Sequence, residues 1–230
     1  MKRLIIQTGA PVGLTSYNTF WEMFFDEGGC SDEDTVVVDV SKGERLLPPS
    51  AYSSAIITGS PAMITDKHEW SERSACWVVD AVKQRLPLFG VCYGHQLISY
   101  ALGGSVIYLE GGVELGSLDI YLNGREHPFL EGLPAVFKAN LVHSQSVSAL
   151  PRGAISAAYS KRDPNQIIIY NDTTFSVQFH PEYSKAVMQD YIELYKRQEP
   201  RNADVYSKLA ADDTPISLTL LRKFILENSP

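Results

Sequence analysis

The chain has 230 residues, of which 44% are hydrophobic, and a formal net charge of −7 at neutral pH. This length and apolar content allow one sizeable core, so we expect a globular protein. No cluster of Lys or Arg offers a track for phosphates, which argues against nucleic acid as a partner. The first apolar run, Leu4 to Ile6, is too short for a signal peptide or a membrane span.

The three cysteines are Cys30, Cys76 and Cys92, and no two of them are closely spaced. An odd number at such spacing fits neither a disulfide framework nor a zinc site. No other group of His, Cys and acidic residues has convincing metal-ligand spacing, so we expect no metal. The cysteine usage favours a reducing compartment, and we expect a cytoplasmic protein without a membrane partner.

The first hundred residues alternate between apolar strands and amphipathic helices. Strands are predicted at 4–7, 35–40, 54–58 and 86–91, and helices at 16–25, 69–85 and 96–102. This alternation is typical of an α/β protein with a doubly wound, mostly parallel central sheet and helices on both faces. Ligands of such sheets bind at the carboxyl ends of the strands.

After Val106 the pattern changes to short β-rich pieces separated by turn signals. Strands are predicted at 106–109, 116–122, 135–139, 147–150, 154–159, 166–170 and 175–179, and helices at 183–197 and 217–227. We expect a small antiparallel addition, after which the strand at 175–179 returns to the main sheet. We interpret residues 1–200 as one domain and residues 201–230 as a C-terminal helical extension packed on it.

The segment from Leu86 to Gly104 predicts a nucleophile elbow. Cys92 lies between the strand and the helix, and Gly90 and Gly94 lie two residues away on either side. Glycines at this spacing allow a turn sharp enough to push the thiol out of the sheet. A Cβ at either glycine position would crowd the neighbouring backbone. The helix N-terminus that follows favours a thiolate. The alternative is a buried, inert cysteine at a tight turn.

A cysteine nucleophile needs a base, and His180 is the best placed of the five histidines. It follows the end of an apolar strand, and Glu182 lies two residues further on, across the rigid Pro181. The Glu182 carboxylate can fix the tautomer of the imidazole. His95 is better explained as lining the turn after Cys92. Spacing alone does not distinguish this triad from chance.

Three motifs, in this order, resemble the class I (triad-type) glutamine amidotransferases, above all the stand-alone domains similar to the amidotransferase half of GMP synthase. The motifs are TGSP at 58–61, GVCYGHQ at 90–96 and VQFHPE at 177–182. The resemblance implies the flavodoxin-like fold of that family. It also implies a nucleophile at Cys92, a general base at His180 and an orienting carboxylate at Glu182, with no cofactor.

The resemblance further implies the groups that hold the substrate. Backbone N–H groups of Ser60 and Tyr93 would form an oxyanion hole. The implied substrate-binding positions are Gly59, Gln96, His143, Ser144 and Gln145, the last three as a segment whose backbone meets the substrate. The family often has Gly-Gly-Pro where this chain has Gly59–Ser60–Pro61, and a Cβ at Ser60 is tolerable if its φ is negative.

Three functions remain open on the sequence. The first is hydrolysis of L-glutamine through a Cys92 thioester, with ammonia passed to an acceptor on a separate synthetase chain, since no Walker-type phosphate loop occurs here. The second is a γ-glutamyl peptidase or hydrolase for glutathione-like or γ-glutamylated compounds, which needs an open groove lined by loops 9–16, 61–68 and 108–116. The third is a non-catalytic binding or regulatory domain, with a thiol redox sensor at Cys92 as its variant.

Overall fold

The computed structural model describes residues 1–14 and 16–229, and the main feature of its fold is a nine-stranded sheet. In chain order the strands are β1 (Arg3–Gln7), β2 (Thr35–Asp39), β3 (Ala55–Ile57), β4 (Leu88–Val91), β5 (Ser105–Tyr108), β6 (Glu114–Leu122), β7 (Val136–His143), β8 (Gln145–Ala149), β9 (Ile155–Tyr159), β10 (Ile167–Asn171) and β11 (Thr174–Val177). The helices are α1 (Phe20–Asp26), α2 (Glu69–Lys83), α3 (Tyr93–Ala101), α4 (Lys185–Gln198), α5 (Ala203–Tyr206) and α6 (Pro215–Glu227).

The main sheet joins a parallel half to an antiparallel half. Its strand order is β2-β1-β3-β4-β11-β10-β9-β6-β7. The first five strands in this order, which end with β11, pair in parallel. The remaining pairs, from β11–β10 to β6–β7, are antiparallel. β5 and β8 form a separate two-stranded sheet. The predicted return of a late strand is confirmed, because β11 pairs with β4 and the chain then continues to His180.

Helices cover both faces of the parallel half. Leu4 and Ile6 of β1 pack in a layer with α2 and α3, whereas Ile5 packs on the opposite face with Phe24 of α1 and Phe224 of α6. Successive side chains of a strand point to opposite faces, so one strand serves both layers. Burying each of these large apolar side chains contributes about 2 kcal/mol. The predicted fold class is therefore confirmed.

Two helices begin three or four residues away from their predicted starts. α1 begins at Phe20 rather than at residue 16, because the Glu22 carboxylate accepts a hydrogen bond from the backbone N–H of Thr19 and fixes the start there. α3 begins at Tyr93 rather than at residue 96, because the elbow turns directly into the helix.

The C-terminal part adds two helices. α5 forms within a stretch without a predicted helix, and α6 begins at Pro215, which is favoured in the first turn of a helix. Leu220 and Leu221 of α6 are buried in the layer that contains α1. The division of the chain at residue 200 stays a prediction, and Pro230 lies outside the described residues. None of the helices in the described ranges has the length and hydropathy needed to cross a bilayer.

Candidate active site

Cys92 lies in a strained turn between β4 and α3. Its φ of 52° and ψ of −99° are unfavourable for a residue with a side chain. A Cβ on Gly90 would lie 2.6 Å from the carbonyl oxygen of Gly94, and one on Gly94 would lie 2.5 Å from that of Ile57. The expectation that both flanks require glycine is confirmed. The turn places Cys92 at the carboxyl end of β4, where it lines a cavity.

His180 and Glu182 form a buried pair beside this turn. The distance from His180 Nδ1 to Glu182 Oε1 is 2.7 Å, and both side chains are almost wholly buried. A Cβ on Gly59 would lie 2.8 Å from His180 Cε1 and 3.8 Å from Cys92 Cβ. The structure therefore brings Cys92, His180 and Glu182 together, and glycine at 59 leaves room for the imidazole.

Two neighbours determine the charge of His180. Burial by itself would lower its pKa, but the Glu182 carboxylate and then the Cys92 sulfur outweigh this effect and raise the pKa of His180 to about 10. The imidazole consequently keeps its proton at neutral pH. His95 behaves in the opposite way, since burial lowers its pKa to about 3. Its Nδ1 contacts Ser176 Oγ at 2.8 Å, so His95 is a neutral part of the core.

Several groups outside the predicted site support the His180 turn. Tyr183 stacks on the imidazole with ring centroids 3.9 Å apart, and its hydroxyl donates to that of Tyr191 at 3.1 Å. The carbonyl of the buried Asn140 accepts from the backbone N–H of His180 at 2.8 Å, and its side-chain amide donates to the carbonyl of Tyr183 at 2.8 Å. The tyrosine after the HPE motif was a visible signal, whereas Asn140 had none.

Two backbone N–H groups of cavity-lining residues lack an acceptor in the described part of the chain. Those of Ser60 and Tyr93 have no hydrogen-bond partner within residues 1–14 and 16–229, and both residues line the cavity beside Cys92. Tyr93 is the first residue of α3, where N–H groups lack partners in the helix. Ser60 has a negative φ, as its side chain requires, and its hydroxyl donates to the Thr8 carbonyl at 2.6 Å. An oxyanion hole at these groups stays a prediction.

Four of the five predicted substrate-binding positions line a cavity of about 270 Å³, namely Gln96, His143, Ser144 and Gln145. The fifth, Gly59, lies against the His180 ring. Two of the four side chains are bonded away from the cavity. The His143 ring contacts Glu114, and the Gln145 amide bonds to the turn at residues 64–65. Contact between the backbone of segment 143–145 and a substrate stays a prediction.

Gln96 has a fixed orientation at the edge of this segment. Its Nε2 donates to the carbonyl of Gln145 at 2.9 Å and to Gln178 Oε1 at 3.0 Å. A carbonyl oxygen can only accept, so these bonds assign the amide and use both of its N–H groups. No donor in the described part of the chain bonds to Gln96 Oε1, so this atom can accept a hydrogen bond.

The remaining wall of the cavity is mainly apolar and aromatic. It includes Val12, Phe20, Met63, Leu194 and Tyr195. Loops 9–16 and 61–68 both contribute, while the described residues of 108–116 do not, and Thr15 lies outside the described residues. Over the described ranges, the cavity lining contains no Lys, Arg, Asp or Glu, and no three potential metal ligands are grouped.

Comparison with known proteins identifies the family. The model of class I glutamine amidotransferases matches residues 16–194. The chain belongs to this family. The predicted resemblance is confirmed, and the elbow at Cys92 and the strands β2, β3, β4 and β11 lie within the matched part.

Two relatives and one solved structure illustrate the range of this class I amidotransferase family. The chain is 29% identical to gamma-glutamyl peptidase 4 of Arabidopsis thaliana over 181 residues, which cover 77% of this chain and 71% of that protein. It is 31% identical to one subunit of the glutamine-hydrolyzing GMP synthase of Methanococcus maripaludis over 150 residues, covering 65% and 74%. A glutamine amidotransferase structure from Thermotoga maritima superposes on this chain with a TM-score of 0.77 at 21% identity. The superposition covers 98% of this chain and 97% of that one, and it supports a shared fold.

Proposed function

We propose that this chain hydrolyses γ-glutamyl amides through a thioester on Cys92. The observation that carries the proposal is the meeting of three side chains at the carboxyl ends of β4 and β11. His180 lies 2.7 Å from Glu182 and carries a raised pKa that depends on both Glu182 and Cys92. A strained nucleophile beside an oriented imidazole is the arrangement that acyl transfer requires.

Acylation begins when the Cys92 sulfur attacks the γ-carbonyl carbon of the substrate. The carbonyl π electrons move to oxygen, and the N–H groups of Ser60 and Tyr93 donate hydrogen bonds to the oxyanion. Each such donor contributes about 3 kcal/mol to the transition state. The C–N bond then breaks while the His180 imidazolium gives its proton to the leaving nitrogen. Ammonia or an amine departs, and a γ-glutamyl thioester remains on Cys92.

Deacylation uses the imidazole that acylation leaves neutral. A water molecule attacks the thioester carbonyl and gives a proton to His180, the same oxyanion forms, and the C–S bond breaks. Glutamate leaves, the thiolate returns and His180 is protonated again. Glu182 accepts from Nδ1–H throughout, so the other nitrogen of the imidazole is the one that exchanges protons.

The size and lining of the cavity support a second candidate substrate besides L-glutamine. Ammonia needs only a small exit, yet Val12, Phe20, Leu194 and Tyr195 extend an apolar wall beyond the reacting atoms. Val12 is 55% exposed and opens this wall to solvent. Such a wall suits the amine portion of a γ-glutamyl peptide or other conjugate. The similarity to a gamma-glutamyl peptidase supports the same candidate.

If glutamine is the substrate, we propose that its ammonia is used by a separate synthetase chain. The similarity to a GMP synthase subunit that is a chain of its own supports this arrangement. We also propose that the protein acts in the cytoplasm, where its free cysteines, Cys30, Cys76 and Cys92, stay reduced.

The test is an assay of glutamate and ammonia release from L-glutamine, glutathione and γ-glutamyl dipeptides. We expect release by the wild type and by Cys76→Ala, which removes an exposed thiol on α2, but none by Cys92→Ala. A higher kcat/KM for dipeptides with apolar second residues than for glutamine would favour the conjugate substrates. Release that persists in Cys92→Ala, or its absence from every substrate with folded wild type, would contradict the proposal.

A further inference from the structure

A second buried polar cluster lies behind the segment 143–145, away from Cys92. Its members are all almost wholly buried: Glu114, His143, Ser160, Asp163 and Gln166. Burying ionisable groups costs several kcal/mol each unless they are well paired. The proposed reaction uses none of these side chains, so their presence needs another explanation.

Both nitrogens of the His143 ring face acceptors. Nδ1 lies 2.9 Å from the Gln145 carbonyl oxygen, which can only accept, so Nδ1 must carry a proton. Nε2 lies 2.9 Å from Glu114 Oε2. If Glu114 is ionised, Nε2 must donate as well, and His143 is then an imidazolium.

The Glu114 carboxylate has a further neighbour on each oxygen. Oε1 accepts from Ser160 Oγ at 2.7 Å, and Oε2 accepts from Gln166 Nε2 at 3.2 Å. Both oxygens therefore act as acceptors, as those of a carboxylate do. Asp163 Oδ2 lies 3.9 Å from His143 Nδ1 and has no hydrogen-bond partner in the described part of the chain. A second acidic group thus faces the imidazole.

The cluster is connected to the cavity through one carbonyl group. The Gln145 carbonyl accepts both from His143 Nδ1 and from Gln96 Nε2, each at 2.9 Å. Ser144 lies between the two anchored residues, and all three line the cavity. His143 therefore determines the backbone shape of the segment and, through the shared carbonyl, the direction of the Gln96 amide.

We propose that Glu114 and His143 form an ion pair that positions the segment 143–145 and Gln96 for binding the γ-glutamyl group. This inference rests on the proposed function. Neither residue contacts Cys92 or His180 in this role, so both are positioning residues. Their loss should weaken substrate binding while the chemical step at Cys92 continues at nearly its normal rate.

The main test is Glu114→Gln, assayed with the substrate on which the wild type is active. The amide keeps the shape of the side chain but removes the charge that holds the imidazolium. We expect KM to rise about tenfold or more, a loss typical of groups that orient a ligand, with kcat within about threefold. Glu44→Gln is the control: it changes an exposed carboxylate that accepts from the backbone N–H of Asp39, and it should leave both constants unchanged.

Ser160→Ala is the second variant, because it removes a hydrogen bond to Glu114 and no group from the cavity. It also removes the bonds that the Ser160 hydroxyl accepts from the backbone N–H groups of Arg162 and Asp163 and from Gln166 Nε2. It should raise KM about threefold with kcat unchanged, and it decides the question if Glu114→Gln does not fold. In the wild type, ¹⁵N NMR of the His143 ring should show protons on both nitrogens at neutral pH. An unprotonated Nε2, an unchanged KM or a fall in kcat alone would overturn the inference. An inactive wild type would instead contradict the proposed function.

Discussion

The fold contains two buried histidine–glutamate pairs that have similar distances between their atoms but different surroundings. In one, His180 lies 2.7 Å from Glu182, and in the other His143 lies 2.9 Å from Glu114. His143 ends β7, His180 lies three residues after the end of β11, and both carboxylates are buried. The distance within the pair does not separate them.

The partner of the second ring nitrogen does separate them. The second ring nitrogen of His180 is available to the Cys92 sulfur. Glu182 and Cys92 together raise the pKa of this imidazole. The second ring nitrogen of His143, Nδ1, is hydrogen-bonded to the Gln145 carbonyl. A histidine that faces a nucleophile can move protons, whereas one that faces a carbonyl can only hold the backbone. We infer a chemical role for the first pair and a positioning role for the second.

Removing the carboxylate of the first pair should have the largest effect. In Glu182→Gln, we expect kcat to fall on the order of 10³- to 10⁴-fold, because the imidazole loses its orienting acceptor. The carboxylate raises the pKa of His180, which is about 10, so its loss should move the alkaline limb of the kcat/KM profile to lower pH.

The measurement is a pair of pH–rate profiles for the wild type and Glu182→Gln, with Glu44→Gln as the control. The same profiles for Glu114→Gln should keep the wild-type alkaline limb. If Glu114→Gln moved that limb as far as Glu182→Gln, the distinction between the two pairs would be lost.

A smaller effect is expected from Gly59→Ala, which disturbs only the first pair. The new Cβ would lie 2.8 Å from His180 Cε1, so the ring must move. Displacing a catalytic group by up to about 1 Å lowers kcat about 10²-fold. The crowding should also lower the free energy of unfolding by about 1–3 kcal/mol. Kinetics and urea unfolding measure the two effects. Unchanged kcat in a folded variant would show that the His180 ring is not confined at this position.

The smallest effect is expected from Thr8→Val, which acts on the Gly59 loop from its far side. Thr8 Oγ1 donates to the Gly59 carbonyl at 2.8 Å, and Thr58 Oγ1 donates to the same oxygen at 3.0 Å. Since one donor remains, the loss should be about 1 kcal/mol of unfolding free energy, with kcat reduced only a few-fold. A urea titration checks the first number. A fall in kcat comparable with that of Gly59→Ala would mean that the loop, rather than the ring, limits the reaction.

The sequence predicted the first region better than the second. The parallel strands, the elbow glycines and the positions of Cys92, His180 and Glu182 could be derived because each follows a local pattern or a compact motif. Glu114 could not, since nothing in a sequence shows that an acidic residue after a turn is buried. The role of Asn140 was equally hidden. The strand β7 continues through Asn140, past its predicted end at residue 139, because tertiary hydrogen bonds satisfy this polar side chain.

The central claim is a covalent γ-glutamyl intermediate on Cys92, and trapping it is the most direct test. Wild-type protein would be mixed with a substrate it turns over, quenched in acid within the first turnovers and analysed by mass spectrometry before and after proteolysis. We predict a mass increase of one glutamyl residue on the peptide that contains Cys92, and none in Cys92→Ala. An acyl group on another residue, or turnover without any acylated Cys92, would contradict the account.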